Sequence, residues 1–138
     1  MASLDVDVVI GTGPHVLQKV ETMSRKDGGK MVVWYSLGNM LSSQLELRHL
    51  IGGIAHFDVV KGQNDKVSID NLAFTPTYMH YEWTETERAG DDLLARRNAM
   101  IYPLENAAQP LSRSLFHTTV GDQQQYVMST LGPGVAIK

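Results

Sequence analysis

Val6-Asp7-Val8-Val9-Ile10 leads directly into Gly11-Thr12-Gly13-Pro14-His15-Val16-Leu17-Gln18, and the fold class follows from this stretch. The first part is apolar at four of its five positions, which predicts a buried, parallel β-strand. The second part is rich in glycine, which is typical of a loop at the carboxyl end of such a strand. Open α/β sheets place their ligands at these strand ends, so the loop is the first candidate site.

The residues after the loop predict a β-hairpin. Pro14 favours a short helical turn over 14–18, and the β-rich runs 19–23 and 31–35 then flank a turn that contains two adjacent glycines. A single helix over 14–23 is the alternative to the first half of this hairpin. A turn over 36–39 ends the second run.

Further strands are predicted over 54–60 and 67–74, with a turn over 62–65 between them. A separate extended segment is predicted over 77–83, after Pro76. The segment 43–49 predicts a short helix or an ordered loop, and the pair Gly52-Gly53 is expected to interrupt the chain behind it.

The last third predicts helices. One is capped by Asp91 or Asp92 and runs through Leu93, Leu94, Arg97 and Met100 to Pro103. Two shorter helices are predicted over 111–118 and 123–131, the second of which ends at a Gly-Pro-Gly sequence. Since no repeat or linker divides the chain, the economical interpretation is one mixed α/β unit.

Composition limits the function classes that the sequence supports. The 138 residues suffice for one domain with a core, and the formal net charge of −3 gives no polybasic surface that would favour nucleic acid. The absence of cysteine excludes disulfides, thiolate metal sites and cysteine nucleophiles. No run approaches the roughly 18 apolar residues of a membrane helix, and the first residues do not resemble a signal peptide.

The glycine-rich loop carries one imidazole, His15, which is the candidate metal ligand. A metal would need two or three further ligands. The alternative without a metal is a surface or hydrogen-bonded histidine. Gly11 and Gly13 begin like a dinucleotide fingerprint, but the third glycine and the later acidic residue are missing. The two glycines therefore indicate either a tight turn or a loop that lets a ligand approach.

The other candidates favour structural roles. His49 and His56 have no ligand spacing, His80 is expected on a solvated strand face with Tyr78 and Glu82, and His117 is expected at the surface. The arginines 96, 97 and 113 could bind anions, although a solvated helix face is the simpler interpretation. The aromatic residues at 34–35 and 78–83 are expected to pack in the core or at its rim. No sequence motif of a serine hydrolase, zinc protease or P-loop protein is present.

The segment 7–21, followed by Val32-Val33-Trp34-Tyr35-Ser36-Leu37-Gly38-Asn39, resembles the C-terminal part of CapA/PgsA-type capsule and poly-γ-glutamate synthesis proteins. That family carries a D-V-V-I-G-x-H-P-H-V-x-Q-x-x-E segment and then Y-S-L-G-N-F. His15 matches the second histidine of the pair, whereas Gly13 stands where the first is usual, and Met40 replaces the phenylalanine. Weaker resemblances follow at 52–55, 76–78 and 102–104.

The resemblance implies an α/β fold, the C-terminal portion of a calcineurin-like metallophosphatase sandwich with a mixed β-sheet and flanking helices. Residues 1–138 would then form a single partial domain, and the family's other metal ligands would lie before Met1. His15 would contribute one metal–nitrogen bond, and Gly11, Thr12, Gly13 and Asn39 would line the substrate side. The implied cofactor is a divalent metal, Mn or Zn, in the intact protein, with no tight binding to this chain and no catalytic residue on it.

The function expected from the resemblance is that of a fragment of a capsule or poly-γ-glutamate biosynthesis protein, inert on its own. Its partners would be an anionic envelope polymer and membrane synthase subunits, and exposed sheet edges would favour a homo-oligomer. It would lie on the extracellular face of a bacterial membrane, anchored by a segment absent from this chain. One alternative is a metal-free module that binds a polymer or a partner; another is a small α/β domain whose loop histidine is structural.

Overall fold

The predicted hairpin forms the first sheet of the computed structural model, which describes residues 5–63 and 66–138. Strand β2 (Val20–Ser24) pairs antiparallel with β3 (Lys30–Trp34), and β1 (Val8–Ile10) pairs parallel with β3, which gives the order β1-β3-β2. Gly28 allows the hairpin turn because its φ of 81° lies in the left-handed region. The parallel strand and the hairpin are confirmed, and the alternative helix over 14–23 is wrong.

Strand β1 is less buried than its apolar sequence predicts. Val8 and Val9 are half-buried and Ile10 is 49% exposed. Within the part of the chain that the structure describes, β1 pairs with β3 on one side only, so it is an edge strand. The central strand β3 has a neighbour on each side, and its four residues from Met31 to Trp34 are all buried.

Among the residues that the structure describes, four strands form the second sheet. The long strands β4 (Ile51–Lys61) and β5 (Val67–Glu82) pair antiparallel, and β6 (Arg97–Pro103) pairs antiparallel with the second half of β5. The short strand β7 (Ala136–Ile137), which the sequence did not predict, lies parallel to β5. The predicted turn at 62–65 falls partly on residues 64 and 65, outside the described residues.

Two predicted interruptions of this sheet are wrong. The Gly52-Gly53 pair lies inside β4, and the predicted segments 67–74 and 77–83 fall on one continuous strand, which passes through Pro76 and ends at Glu82. Proline is tolerated there because of its position on the edge of β5 that faces β6 and β7. Strand β6 pairs from Thr77 onward and β7 pairs with Ala73 and Phe74, so the missing N–H of Pro76 removes no sheet hydrogen bond on this edge.

The helices differ from the prediction over 91–118. The residues predicted as a helix from Asp91 or Asp92 form a 3₁₀ turn (Leu93–Ala95) and then β6, because pairing with β5 overrides the helical spacing of the apolar residues. Helix α1 (Glu85–Ala89) was not predicted, although Thr84 and Glu87 form a capping box at its start. Further short helices are α2 (Ala108–Ser112) and the 3₁₀ turns Leu47–His49 and Leu104–Asn106.

Helix α3 (Val120–Leu131) confirms the prediction over 123–131 and begins three residues earlier. Thr119 and Asp122 form its capping box, and the helix ends at Gly132, whose φ is 84°. The predicted helix over 111–118 is replaced by α2 and an irregular segment. No helix among the described residues has the length and apolar character needed to cross a membrane.

One apolar cluster joins the two sheets and the helices. The rings of Trp34 on β3 and Phe74 on β5 stack with their centroids 6.0 Å apart. Other members come from the second sheet and the helices: Ile51, Tyr78, Met79, Leu104, Leu111, Val127 and Leu131. The mixed α/β class predicted from the sequence is therefore confirmed.

Candidate functional site

The glycine-rich loop leaves the carboxyl end of β1 and is held against the end of β3. The Gly11 amide donates to the Trp34 carbonyl at 2.8 Å, and the Gly11 carbonyl accepts from the Leu37 amide at 3.0 Å. A Cβ on Gly11 would lie 2.3 Å from the Tyr35 carbonyl oxygen, whereas a Cβ on Gly13 would meet nothing within 4 Å. The first glycine is therefore required by close backbone packing and the second is not.

His15 is exposed at the tip of this loop. Its amide donates to the Thr12 carbonyl at 3.1 Å, and its φ of 61° is left-handed. A non-glycine residue in this region costs about 1–3 kcal/mol, and such residues cluster at functional sites. The helical turn predicted over 14–18 is wrong, because residues 13–16 form a turn and a bend and Leu17 then bridges to Leu37.

Asn39 contacts this histidine directly. The Nδ1 atom of His15 lies 2.8 Å from the Oδ1 atom of Asn39, although the two residues are 24 positions apart. The Asn39 side chain is nearly buried, with 8% of the residue exposed. The structure thus joins two of the predicted site residues by a hydrogen bond that the sequence did not predict.

The amide nitrogen of Asn39 has three further contacts. Nδ2 lies 3.1 Å from Ser42 Oγ, 3.0 Å from Gln44 Oε1 and 3.0 Å from the His49 carbonyl oxygen. The sequence did not predict these contacts; the local signal was the polar run Ser42-Ser43-Gln44, which follows Asn39 after two apolar residues. Together they fix the Asn39 side chain in one orientation.

Two glycines let the Asn39 loop pack on β4. A Cβ on Gly52 would lie 2.1 Å from the Asn39 carbonyl oxygen, and a Cβ on Gly38, whose φ is 71°, would lie 2.6 Å from the Ile51 carbonyl oxygen. The Gly53 amide also donates to the Leu37 carbonyl at 3.1 Å. The site is therefore built on both sheets, with His15 on a loop of the first and Asn39 seated on the second.

The remaining predicted lining residues differ in exposure. Thr12 and Gly13 are exposed beside His15, whereas Gly11 is half-buried under the backbone that follows β3. Among the described residues, no group of three or more histidine, cysteine, aspartate or glutamate side chains is arranged to hold a metal ion.

His80 does not lie on a solvated face. It is 1% exposed, its Nδ1 lies 3.4 Å from the Tyr78 hydroxyl, and its ring packs edge-on against Tyr102. The prediction failed because β5 is buried on both faces over 76–81, so alternation cannot indicate which side chains reach water. Burial lowers the pKa of His80, against the opposing effect of Glu82, whose Oε1 lies 3.5 Å from Nε2. Burial also raises the pKa of Tyr78 to about 12.

The lowered pKa of His80 predicts a pH-dependent stability. An unfolded chain binds this proton at the ordinary histidine pKa of about 6.5, whereas the folded chain does not bind it until a lower pH. The free energy of unfolding should therefore fall as the pH drops from 7 to about 5. Urea denaturation at several pH values would measure this slope, which His80→Gln should reduce and the exposed-site control His117→Gln should leave unchanged. An equal slope in wild type and His80→Gln would contradict the assignment.

The other histidines have separate positions. His56 Nε2 contacts Thr75 Oγ1 at 2.9 Å across the second sheet, and His117 is exposed, as predicted, on an irregular segment rather than a helix. His49 reaches the site through its backbone carbonyl.

The arginines are engaged within the protein. Arg97 pairs with Glu87 at 3.0 Å, Arg113 lies 3.6 Å from Glu82, and Arg96 lies over the Tyr81 ring at 5.7 Å from its centroid. These contacts favour a structural role over an anion site, but the predicted helix face is wrong, because Arg96 follows a 3₁₀ turn and Arg97 lies on β6.

Arg25, which the sequence analysis did not single out, pairs with three aspartates. It contacts Asp7 at 2.6 Å and Asp27 at 2.8 Å, and it lies 3.7 Å from Asp5. Its side chain is 10% exposed and ties β1 to the hairpin turn.

The geometry defines a mixed α/β protein with an exposed, oriented histidine at the carboxyl end of a parallel strand. Residues 1–44, which contain this strand, the loop, the hairpin and Asn39, match the family model described as bacterial capsule synthesis protein PGA_cap. The match is consistent with the C-terminal part of a CapA-type protein, and the resemblance found in the sequence is confirmed for this segment. Comparison with curated proteins and with solved structures gives no significant match.

Proposed function

We propose that this chain is the C-terminal portion of a capsule or poly-γ-glutamate synthesis protein, and that it is catalytically inert by itself. The observation that carries the proposal is the match of residues 1–44 to the capsule synthesis family, since that segment holds the whole His15 loop and Asn39. The half-exposed β1 supports it, because strands of parallel sheets are ordinarily covered on both faces. In this proposal residues 1–138 are one partial domain of a calcineurin-like metallophosphatase sandwich.

His15 fits the role of one metal ligand in the intact protein. The side chain is exposed at a strand end, and its backbone is held in a left-handed conformation. Asn39 contacts Nδ1, and no hydrogen bond to Nε2 is made by the described residues, which leaves Nε2 accessible. A divalent metal such as Mn²⁺ or Zn²⁺ supplies Lewis acidity and lowers the pKa of bound water. Carboxylates and imidazoles upstream of Met1 would supply the other ligands, with Thr12 and Gly13 facing the substrate.

The substrate and partners follow from the family rather than from the geometry. We infer an anionic envelope polymer, membrane synthase subunits as partners, and a position on the extracellular face of a bacterial membrane. The anchor would lie in a segment outside these residues, and the exposed edge of β1 would favour a homo-oligomer of the isolated chain.

A second candidate is a metal-free module that binds the polymer or a partner protein. It is favoured by one observation, the presence of Gly13 where the family usually has the first histidine of its pair. Because Gly13 is exposed and a Cβ there would meet nothing within 4 Å, packing does not explain the exchange. Unchanged function of the intact protein after His15→Ala would favour this candidate.

Calorimetric titration of Mn²⁺ and Zn²⁺ into the 138-residue chain tests the proposed inertness. One imidazole cannot form a stable site, so we expect no binding tighter than roughly micromolar in wild type, in His15→Ala or in the control His117→Ala. Micromolar or tighter binding that is lost only in His15→Ala would contradict the proposal, since this chain would then supply most of the site itself.

A further inference from the structure

We propose that Asn39 is a positioning residue that selects the tautomer of His15, so that Nδ1 carries the proton and Nε2 presents its lone pair outward. The proposal rests on the proposed function for its purpose, because a lone pair at Nε2 is what a metal or a proton-donating substrate group requires. The proposal concerns the position of one proton on His15 in the metal-free protein. It is argued from the hydrogen bonds of the Asn39 side chain.

The orientation of the Asn39 amide group follows from the partners of its two polar atoms. Oxygen and nitrogen of an asparagine side chain are distinguished by their partners. The His49 carbonyl oxygen, 3.0 Å from Asn39, only accepts hydrogen bonds, so the amide atom that faces it must be the nitrogen. Ser42 Oγ and Gln44 Oε1 accept from the same side. The amide oxygen therefore faces His15.

The position of the proton on the imidazole follows from this orientation. An amide oxygen only accepts hydrogen bonds, so the contact of 2.8 Å between Asn39 Oδ1 and His15 Nδ1 requires a proton on Nδ1. A neutral imidazole has one ring proton, and Nε2 is then an acceptor. Histidines that bind metals are oriented in the same way, since their second ring nitrogen commonly donates to an oxygen that fixes the tautomer.

Both Asn39 and His15 are held in place by their surroundings. Asn39 is 8% exposed, and its backbone is closely packed against Gly52 of β4. His15 is held in its left-handed conformation by the bond from its amide to Thr12. A buried and fully bonded acceptor that faces an exposed imidazole can impose the Nδ1–H form, which is the less favoured tautomer of a free histidine side chain.

The test is a long-range ¹H–¹⁵N correlation spectrum of the chain labelled with ¹⁵N at histidine, recorded without metal at about pH 8.5, above the ordinary histidine pKa. His15→Gln assigns the His15 signals among the five histidines. We expect a protonated Nδ1 and an unprotonated Nε2 for His15 in wild type. In Asn39→Ala the major form should change to Nε2–H.

Two variants separate the positioning role from a merely structural one. Asn39→Asp removes the Nδ2 donor group, which has three acceptor atoms within 3.1 Å, but keeps an acceptor beside His15, so the Nδ1–H form should persist. Gln44→Ala removes one acceptor of Asn39 and leaves Oδ1 in place, so it should also retain the wild-type tautomer.

The proposal is overturned if wild type shows Nε2–H as the major form, or if a folded Asn39→Ala keeps Nδ1–H. Should Asn39→Ala fail to fold, loss of the Nδ1–H form in Asn39→Asp would overturn it equally. Because no metal is added, these results are independent of the calorimetry. A failed capsule assignment would leave the tautomer unchanged, and a wrong tautomer would leave the family match intact.

Discussion

Replacing Trp34 with alanine is expected to lower the free energy of unfolding by about 4 kcal/mol. Trp34 is 1% exposed at the end of the central strand β3, and its ring stacks on Phe74 of β5 with an interplanar angle of 23°. It is therefore a principal contact between the two sheets, and truncation would leave a large cavity there. Since small domains are stable by only about 5–15 kcal/mol, the variant would be close to unfolding.

Urea denaturation followed by circular dichroism would measure this loss. The neighbouring residue provides the control, because Tyr35 is 37% exposed and its side-chain contacts are at the surface: its hydroxyl donates to Glu21 at 3.0 Å, and Lys19 Nζ lies 5.3 Å from its ring centroid. Tyr35→Ala should cost less than about 1 kcal/mol. A cost for Trp34→Ala no larger than that of Tyr35→Ala would show that the sheets do not pack as described.

The second large effect is expected at Gly11. A methyl group there would lie 2.3 Å from the Tyr35 carbonyl oxygen, which is backbone and cannot rotate away, so the loop must separate from the end of β3. We expect Gly11→Ala to cost about 3 kcal/mol, at the upper end of ordinary overpacking. It should also weaken the bond from the Gly11 amide to the Trp34 carbonyl.

Gly13→Ala is a matched control two residues away in the same loop. Nothing lies within 4 Å of the added atom, and we expect a change within about 0.5 kcal/mol. Equal costs for the two substitutions, measured by urea denaturation, would contradict the description of the loop. The comparison also separates a glycine needed for packing from one that leaves room at the surface.

The sequence predicts the first sheet well because its signals are local. The apolar run at β1, the β-rich runs and the turn glycines agree with one another. The sequence does not predict an element correctly where pairing with a distant strand determines the secondary structure. The apolar spacing around Leu94 and Met100 resembles a helix, but the backbone of β6 completes its hydrogen bonds with β5.

The same distinction applies to the site. The motif around His15 and the segment ending at Asn39 could be found in the sequence, because both lie in the stretch that resembles the capsule family. The hydrogen bond between them could not, since it depends on how the Asn39 loop packs on Gly52 in the second sheet. His80 was misplaced for a related reason. The alternation of apolar and polar residues along β5 does not indicate whether one or both faces of the strand are covered by other elements.

The proposal that this chain is the C-terminal portion of a longer capsule synthesis protein can be tested by sequencing the genomic DNA upstream of the Met1 codon. The account predicts that the reading frame continues upstream and encodes further aspartate, asparagine and histidine residues suited to complete a metal site with His15. An in-frame stop codon a short distance upstream of Met1, with a ribosome-binding site between the stop codon and Met1, would contradict the proposal.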